Sequence, residues 1–336
     1  MDEGFALSLL DYDPSAAEPA NPELGPVDLG ESHLVGVGAV GNGTVWALSR
    51  VPELSGELHL VDHEEVDLTN PQRYVLATMD DVGASKVDLA EGFLRGKGLE
   101  VRAHPERWGA YLGNRGDWHL RRVAVAVDSA DGRRAVQAAL PRWIVNAWTQ
   151  PDDLGVSRHS FLGDQACLTC LYLPEDKRKS EAEIIAEVIG FPEEWREVGA
   201  RLYKGTPTDR VFLERIAAAR RIDMEQLLPF EGKPLRVLYR EGVCGGAVIG
   251  FGDGSTGDAQ AEVPMAFQSA LAGIMLAAEL VANAADLREA PPPVTTRLNV
   301  LRPLGAVLSF PLPKNHSGRC ICQDEDYAET YRAKYG

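Results

Sequence analysis

Gly36, Gly38 and Gly41 lie in the run HLVGVGAVGNG, where a short apolar stretch opening at His33 breaks into three closely spaced glycines. A strand feeding a glycine-rich turn and then a helix brings backbone N–H groups up to a phosphate, and Gly41 lets the helix sit tightly on the strand. The run GELHLVD then ends at Asp62, about twenty residues on, where an acid can accept hydrogen bonds from a ribose. Next comes EEVDLTNPQRYVLATMDDVGASK, with Asn70, Gln72 and Arg73 on a loop and Lys86 near the start of a helix. A lysine in a first helical turn costs about 0.3–1 kcal/mol against the macrodipole unless an anion shares the site. Phosphates between Arg73 and Lys86 would account for both; two solvated surface cations are the plain alternative. Asp131, in DSAD, is either a magnesium ligand or the cap of a helix beginning near Gly132.

A second group of residues could hold a metal. Cys167 and Cys170 form a Cys-x-x-Cys in ACLTCLYLP, and Cys320 and Cys322 stand in GRCICQ. Four thiolates in two close pairs are what a tetrahedral structural zinc (Zn2+) requires, with His316 near enough in sequence to replace one ligand. A redox-active pair or simply packed thiols compete with that reading. The fifth cysteine, Cys244, lies in the glycine-dense EGVCGGAVIGFGDGSTGDAQ, apart from the pairs. It could be a nucleophile or a small buried group.

The elements that must position these residues read as an α/β fold. HLVGV, LHLVD, LEVRAH, VAVAVD and WIVNAW are the expected strands, alternating with helical patterns, the first over Thr44 to about Arg50. Val123 to Asp128 shows no polar alternation, as in a strand covered on both faces, and it delivers Asp128 and Asp131 to the carboxyl edge, where open sheets bind ligands. The chain divides into an irregular extension over 1–30, a Rossmann-like nucleotide-binding half over 31–174 and a charged helical insertion over 175–240. Residues 241–322 supply a crossover loop, a long core helix starting at Pro264 and a C-terminal antiparallel strand pair, and 323–336 form a solvated helical or disordered tail. The whole is a doubly wound, mostly parallel sheet.

At 336 residues and 45% hydrophobic content, the chain can bury one large core or two modest ones. A net charge of -16 disfavours nucleic acid, whose affinity comes from lysine and arginine neutralising phosphates. No apolar run reaches the ~18 residues of a membrane span, and Met1 to Asn21 is acidic where a signal peptide is basic and then apolar. The expectation is therefore an intracellular, cytoplasmic protein with no membrane partner; the cysteine spacing does not suggest a secreted disulfide framework.

The glycine triplet, Asp62, TNPQR with Asn70 and Arg73, GASK ending in Lys86, and DSAD ending in Asp131 together resemble the ubiquitin-activating-enzyme-like adenylyltransferases of the ThiF and MoeB type. The resemblance covers about Leu34 to Pro174 and Val243 to Cys322. It implies an ATP site with Asp62 on the ribose, Asn70, Arg73 and Lys86 at the phosphates, Asp131 on magnesium (Mg2+), and zinc on the two cysteine pairs. It implies adenylation of the C-terminal carboxylate of a ubiquitin-like or sulfur-carrier protein ending in Gly-Gly. A thioester on Cys244 and transfer to a conjugating enzyme would follow, usually in a homodimer. The family's arginine-bearing N-terminal helix has no counterpart here, since no arginine precedes Arg50. A nicotinamide-dependent oxidoreductase on the same glycines, or a non-catalytic partner subunit, are the alternatives. The 175–240 insertion is a helical cap or a docking surface for a protein.

Overall fold

A computed structural model of the chain describes residues 24–150, 153–173, 180–239, 265–288, 292–300 and 308–336. The first 23 residues and the whole of the 241–264 crossover loop, Cys244 included, lie outside them. The chain divides into two units, Met1–Leu173 with Pro264–Gly336, and Pro174–Val263.

The first unit is built on one eight-stranded sheet, β1 (Val27–Val35), β2 (Leu54–Val61), β3 (Glu100–His104), β4 (Arg122–Val125), β5 (Trp143–Thr149), β6 (Leu154–His159), β7 (Thr295–Leu298) and β8 (Leu308–Phe310), in the order 3-2-1-4-5-6-7-8. β1 to β5 run parallel and the last three pairings are antiparallel, so the fold is Rossmann-like with a C-terminal antiparallel extension. Strand order reverses between β1 and β4, the point at which such sheets leave a crevice for a ligand. β6 is an addition to the strands read from sequence. Its Ser157, Arg158 and His159 are polar yet buried, because Arg158 pairs with Glu279 and His159 bonds Ser157 Oγ and the Ala166 carbonyl.

Helices α1 (Ala39–Leu48), α2 (Lys86–Leu94), α3 (Trp108–Asn114), α4 (Ala130–Ala138) and α5 (Leu168–Tyr172) connect the strands. α1 begins five residues before the expected Thr44, directly on the glycine turn. The second unit holds α6 (Glu181–Val188), α7 (Trp195–Lys204), α8 (Arg210–Arg220), α9 (Met224–Leu227) and α10 (Leu235–Val237) around a core of its own, including Ile185, Val198, Phe212, Ile216 and Phe230. Its caps are local: Ser180 and Glu183 form a capping box, Asp209 caps α8, and Gly205 ends α7 at φ +62°.

The first unit closes with α11 (Ala266–Ala284) and α12 (Glu325–Tyr335). At 19 residues, with a mean hydropathy of 1.3 over an 18-residue window, α11 is long and apolar enough to cross a membrane by length and composition, where no such run was expected. Here it is a core helix. It packs on β1, β4, β5 and β6 and lies so close to α1 that a Cβ on Gly273 would stand 2.3 Å from the Val40 carbonyl oxygen. Leu34, Leu58, Leu60, Ala124 and Val145 pack beneath α1 and α11, while Val35, Val61, Val123 and Val125 pack against α3, α4 and α5 on the opposite face. The expected solvated tail is α12, and it is docked. The Tyr335 hydroxyl sits 2.9 Å from the Leu120 carbonyl oxygen and 3.0 Å from that of Leu140, and Tyr331 packs on Phe161.

Candidate nucleotide-binding site

The glycine turn is locked between its neighbouring strands. Gly36 N donates to the Val61 carbonyl at 2.9 Å, and Ala126 N to the Val35 carbonyl at 2.8 Å. Gly36 takes φ +92°, and a Cβ there would meet the Ala126 carbonyl oxygen at 2.7 Å. Gly41, inside the first turn of α1, admits no Cβ because one would lie 2.3 Å from the Gly36 carbonyl oxygen. Gly38 is the N-cap, so α1 starts with no side-chain cap and no acid in its first turn. Its positive end is thus left for an anion.

Asp62 braces the turn from β2: its carboxylate accepts from Val37 N at 2.7 Å and Glu64 N at 2.9 Å. Each oxygen keeps a lone pair that a ribose hydroxyl can use. Asn70 is buried and shapes the next loop, its Oδ1 accepting from Asp67 N at 2.9 Å and its carbonyl from Arg73 N at 3.0 Å. Arg73 Nη1 reaches the Thr69 carbonyl at 3.3 Å.

Lys86 is the first residue of α2 and is buried, with its ammonium 2.7 Å from Glu64 Oε2 and 5.5 Å from the centre of the Tyr74 ring. Burial works against its charge, but Tyr74 and Glu64 outweigh burial and push the pKa above the usual lysine range. Tyr74 also ties this loop to the turn, since its hydroxyl stands 3.7 Å from where a Gly38 Cβ would be. Neither Glu64 nor Tyr74 was singled out from sequence. Glu64 is one of two adjacent glutamates after Asp62, and only the fold tells which one faces Lys86.

Two of the expected residues stand outside this network. Gln72 is exposed and its amide donates back to the Thr69 carbonyl at 3.1 Å. Asp131 does not cap α4; Ser129 does, accepting from Gly132 N at 3.1 Å. The Asp131 carboxylate is 81% exposed and ion-paired with Arg134.

The four cysteines named from sequence converge. Cys167 Sγ lies 3.5 Å from Cys320 Sγ and 3.9 Å from Cys170 Sγ, which in turn is 3.3 Å from Cys320 Sγ and 3.5 Å from Cys322 Sγ. A tetrahedron of zinc–sulfur bonds has edges of about 3.8 Å, so the cluster would need little expansion to hold zinc. Asn315 N points at Cys170 Sγ at 3.4 Å, the outer bond that steadies a thiolate ligand. Hydrogen bonds from the neighbouring thiols hold Cys170 well below the usual thiol range. His316 is exposed and takes no part in the cluster, which corrects its place as a possible ligand. The cluster packs with Leu140 and Phe161, at the amino edge of the sheet and away from the glycine turn.

Glu31, His33 and His59 form another close group on β1 and β2, but a cation is already in place there. Arg115 ion-pairs with Glu31 and brings Nη1 to 3.1 Å from His33 Nε2. His59 Nδ1 meets His104 Nε2 at 2.9 Å, and burial lowers His59 to a pKa of about 4.

The sequence model of the family described as the ThiF family matches residues 27–320. The chain belongs to the ThiF family. It is 52% identical over 336 residues to the uncharacterized protein y4jF of Sinorhizobium fredii, spanning 64% of that protein's length. Among solved structures, this ThiF-family chain is similar to the microcin C7 biosynthetic enzyme MccB in complex with N-formylated MccA. The TM-score is 0.50 at 14% identity, over 85% of this chain and 66% of that one. It is also similar to Escherichia coli MccB with AMPCPP and selenomethionine MccA, at a TM-score of 0.50, 14% identity, 85% of this chain and 65% of that one. At such identity the likeness speaks for the fold. The chain spans about two thirds or less of the length of the relatives it matches.

Proposed function

We propose that this chain activates a carboxylate with ATP. A carboxylate oxygen attacks the α-phosphorus, the bond from that phosphorus to the bridging oxygen of the β-phosphate breaks, and an acyl-adenylate and pyrophosphate form. The observation that carries the reading is the meeting of three features at one sheet edge: the uncapped start of α1 at Gly38, the Asp62 carboxylate, and the charged, buried Lys86. Lys86 would exchange Glu64 for a phosphate, and Arg73 would swing from the Thr69 carbonyl to another. Both act by offsetting charge as it builds on the phosphates rather than by moving protons. Magnesium, when bound, would neutralise phosphate charge; the exposed Asp131, exchanging Arg134 for the metal, suits a cation that draws most of its ligands from phosphates and water. Zinc on Cys167, Cys170, Cys320 and Cys322 would clip the turn before α12 to the first turn of α5.

The substrate on this reading is the C-terminal carboxylate of a ubiquitin-like or sulfur-carrier protein. The pairing of MccB with MccA in the solved complexes supports a polypeptide as the substrate class. The Cys244 thiolate would then attack the acyl carbon, releasing AMP and leaving a thioester for a conjugating enzyme. The chain would work as an intracellular homodimer.

ATP–pyrophosphate exchange with candidate carriers tests the first step. Lys86→Met should reduce exchange by about 100-fold or more, the usual scale for losing one preorganised charge partner at a developing anion. Tight NAD binding with no exchange from any carrier would instead favour the oxidoreductase. For the second step, Cys244→Ser should retain exchange and lose the thioester; a thioester that persists removes Cys244 from the mechanism.

A further inference from the structure

We infer that the amino edge of the sheet carries a second anion site, a pocket in which Arg121, Arg122 and Arg142 bind a phosphate-type oxyanion. The cavity, about 360 Å³, is lined by these arginines with Trp143, Ser160 and Asn283. Arg122 opens β4 and Trp143 opens β5, so the pocket is at the opposite end of the strands from the glycine turn.

Arg122 is only 8% exposed. Its Nε donates to Asn283 Oδ1 at 2.8 Å and its Nη1 to the Leu29 carbonyl at 3.1 Å, two neutral acceptors that fix the guanidinium plane. Arg121 crowds it: Nη1 of each arginine comes within 3.7 Å of the point where a Gly30 Cβ would lie. Burial and then the Arg121 charge lower the pKa of Arg122, with Asp28 opposing them more weakly. Asp28 Oδ1 itself accepts from Gly30 N at 2.7 Å. Arg142 is rooted next to them, its N–H on the Leu120 carbonyl at 2.8 Å and its carbonyl under the Tyr331 hydroxyl of α12.

No carboxylate lines this pocket among the described residues. Buried Arg158 has Glu279 and half-buried Arg115 has Glu31, whereas Arg133, as buried as Arg122, rests on neutral acceptors, Asn146 Oδ1 and the Asp128 carbonyl. Among the described residues, neither Asn146 nor Asp128 stands beside a second guanidinium as Arg122 stands beside Arg121. The chain has 50 acidic residues against 34 basic ones, yet among the described residues three guanidinia face one cavity with no acid in its lining and only Asp28 opposing them from outside it. An anion in the cavity would balance that positive charge. Planar guanidinium forks match the oxygens of a phosphate, and three of them suit a dianion.

Isothermal titration of the full chain with inorganic phosphate, at constant ionic strength, tests this. Phosphate should bind the wild type and bind Lys86→Met equally, which separates the pocket from the nucleotide site and from the proposed function. The Arg121→Gln/Arg142→Gln pair changes two exposed side chains and should weaken phosphate by at least about tenfold, the scale of one lost charge-assisted hydrogen bond. In phosphate-free buffer the same variant should melt no lower than the wild type, because it relieves like-charge repulsion. The proposal is overturned if the wild type takes up no phosphate, if the double variant binds it unchanged, or if Lys86→Met alone abolishes binding. A double variant that melts early without phosphate would make the arginines structural and also overturn it, and succinate binding more tightly than phosphate would overturn the phosphate assignment.

Discussion

At Gly36 any other residue meets two obstacles, a left-handed backbone and the Ala126 carbonyl oxygen 2.7 Å from the new Cβ. Gly36→Ala should therefore destabilise the fold by about 1–3 kcal/mol through strain and also displace the start of α1. A lower melting temperature together with lost ATP protection would record both effects; an unchanged thermal shift with ATP would show that the turn does not touch the nucleotide. Glu64 has an opposite role, because it holds the ammonium that a phosphate would need. Glu64→Gln should lower the melting temperature without nucleotide and enlarge the shift that ATP produces. The glycines, Asp62 and Lys86 were legible in sequence because backbone geometry and charge at a helix start restrict residue type. Glu64 and Tyr74 were not, because only the bridge pairing Glu65 with Ser85 brings the 64–66 segment alongside Lys86.

Among the elements, β4 was legible as an apolar run too uniform for one-sided burial, and β2, β3, β5 and the second half of β1 as short apolar runs alternating with helical patterns. Val27–Gly30, expected to be part of an irregular extension, belong to β1. β6 was hidden by Ser157, Arg158 and His159, whose polarity is satisfied by residues distant in sequence. α12 left a trace in Tyr327, Tyr331 and Tyr335, spaced four apart on one helical face, of which the latter two carry the docking contacts. Tyr335→Phe keeps the ring and removes the hydroxyl from between Leu120 and Leu140. The expected loss is about 1–2 kcal/mol in denaturant unfolding, one to two net hydrogen bonds. The cysteine cluster joins the first turn of α5 to the segment before α12, so metal removal should be felt at both. A zinc chelator is expected to lower the melting temperature and raise hydrogen exchange in α12; no metal in the purified chain by mass spectrometry would leave the thiols as packing groups.

The molecule as a whole carries an acid weakness that does not come from its carboxylates. His59 and His159 both have folded pKa values of about 4, chiefly through burial, against 6.5 in the unfolded chain. The unfolded state binds their protons first, so their contribution is complete above pH 6.5 and is lost as pH falls toward 4. Glu57 and Arg102 flank His59, with His104 and Arg115 adding positive charge. Replacing His59 with Gln should reduce the slope of unfolding free energy over that window by about one proton. An unaltered slope would mean that His59 is already charged in the fold. The close seat of α11 on α1 has a further consequence, one that concerns synthesis. A ribosome that has just released His159 has made six of the eight strands, yet Leu34, Leu60 and Val145 still wait for a helix encoded more than a hundred residues later. Nascent chains stalled before Ala266 should bind chaperones and resist release as folded protein, while those stalled well past Leu298 should not, so the second unit must be translated before the sheet ahead of it can be covered.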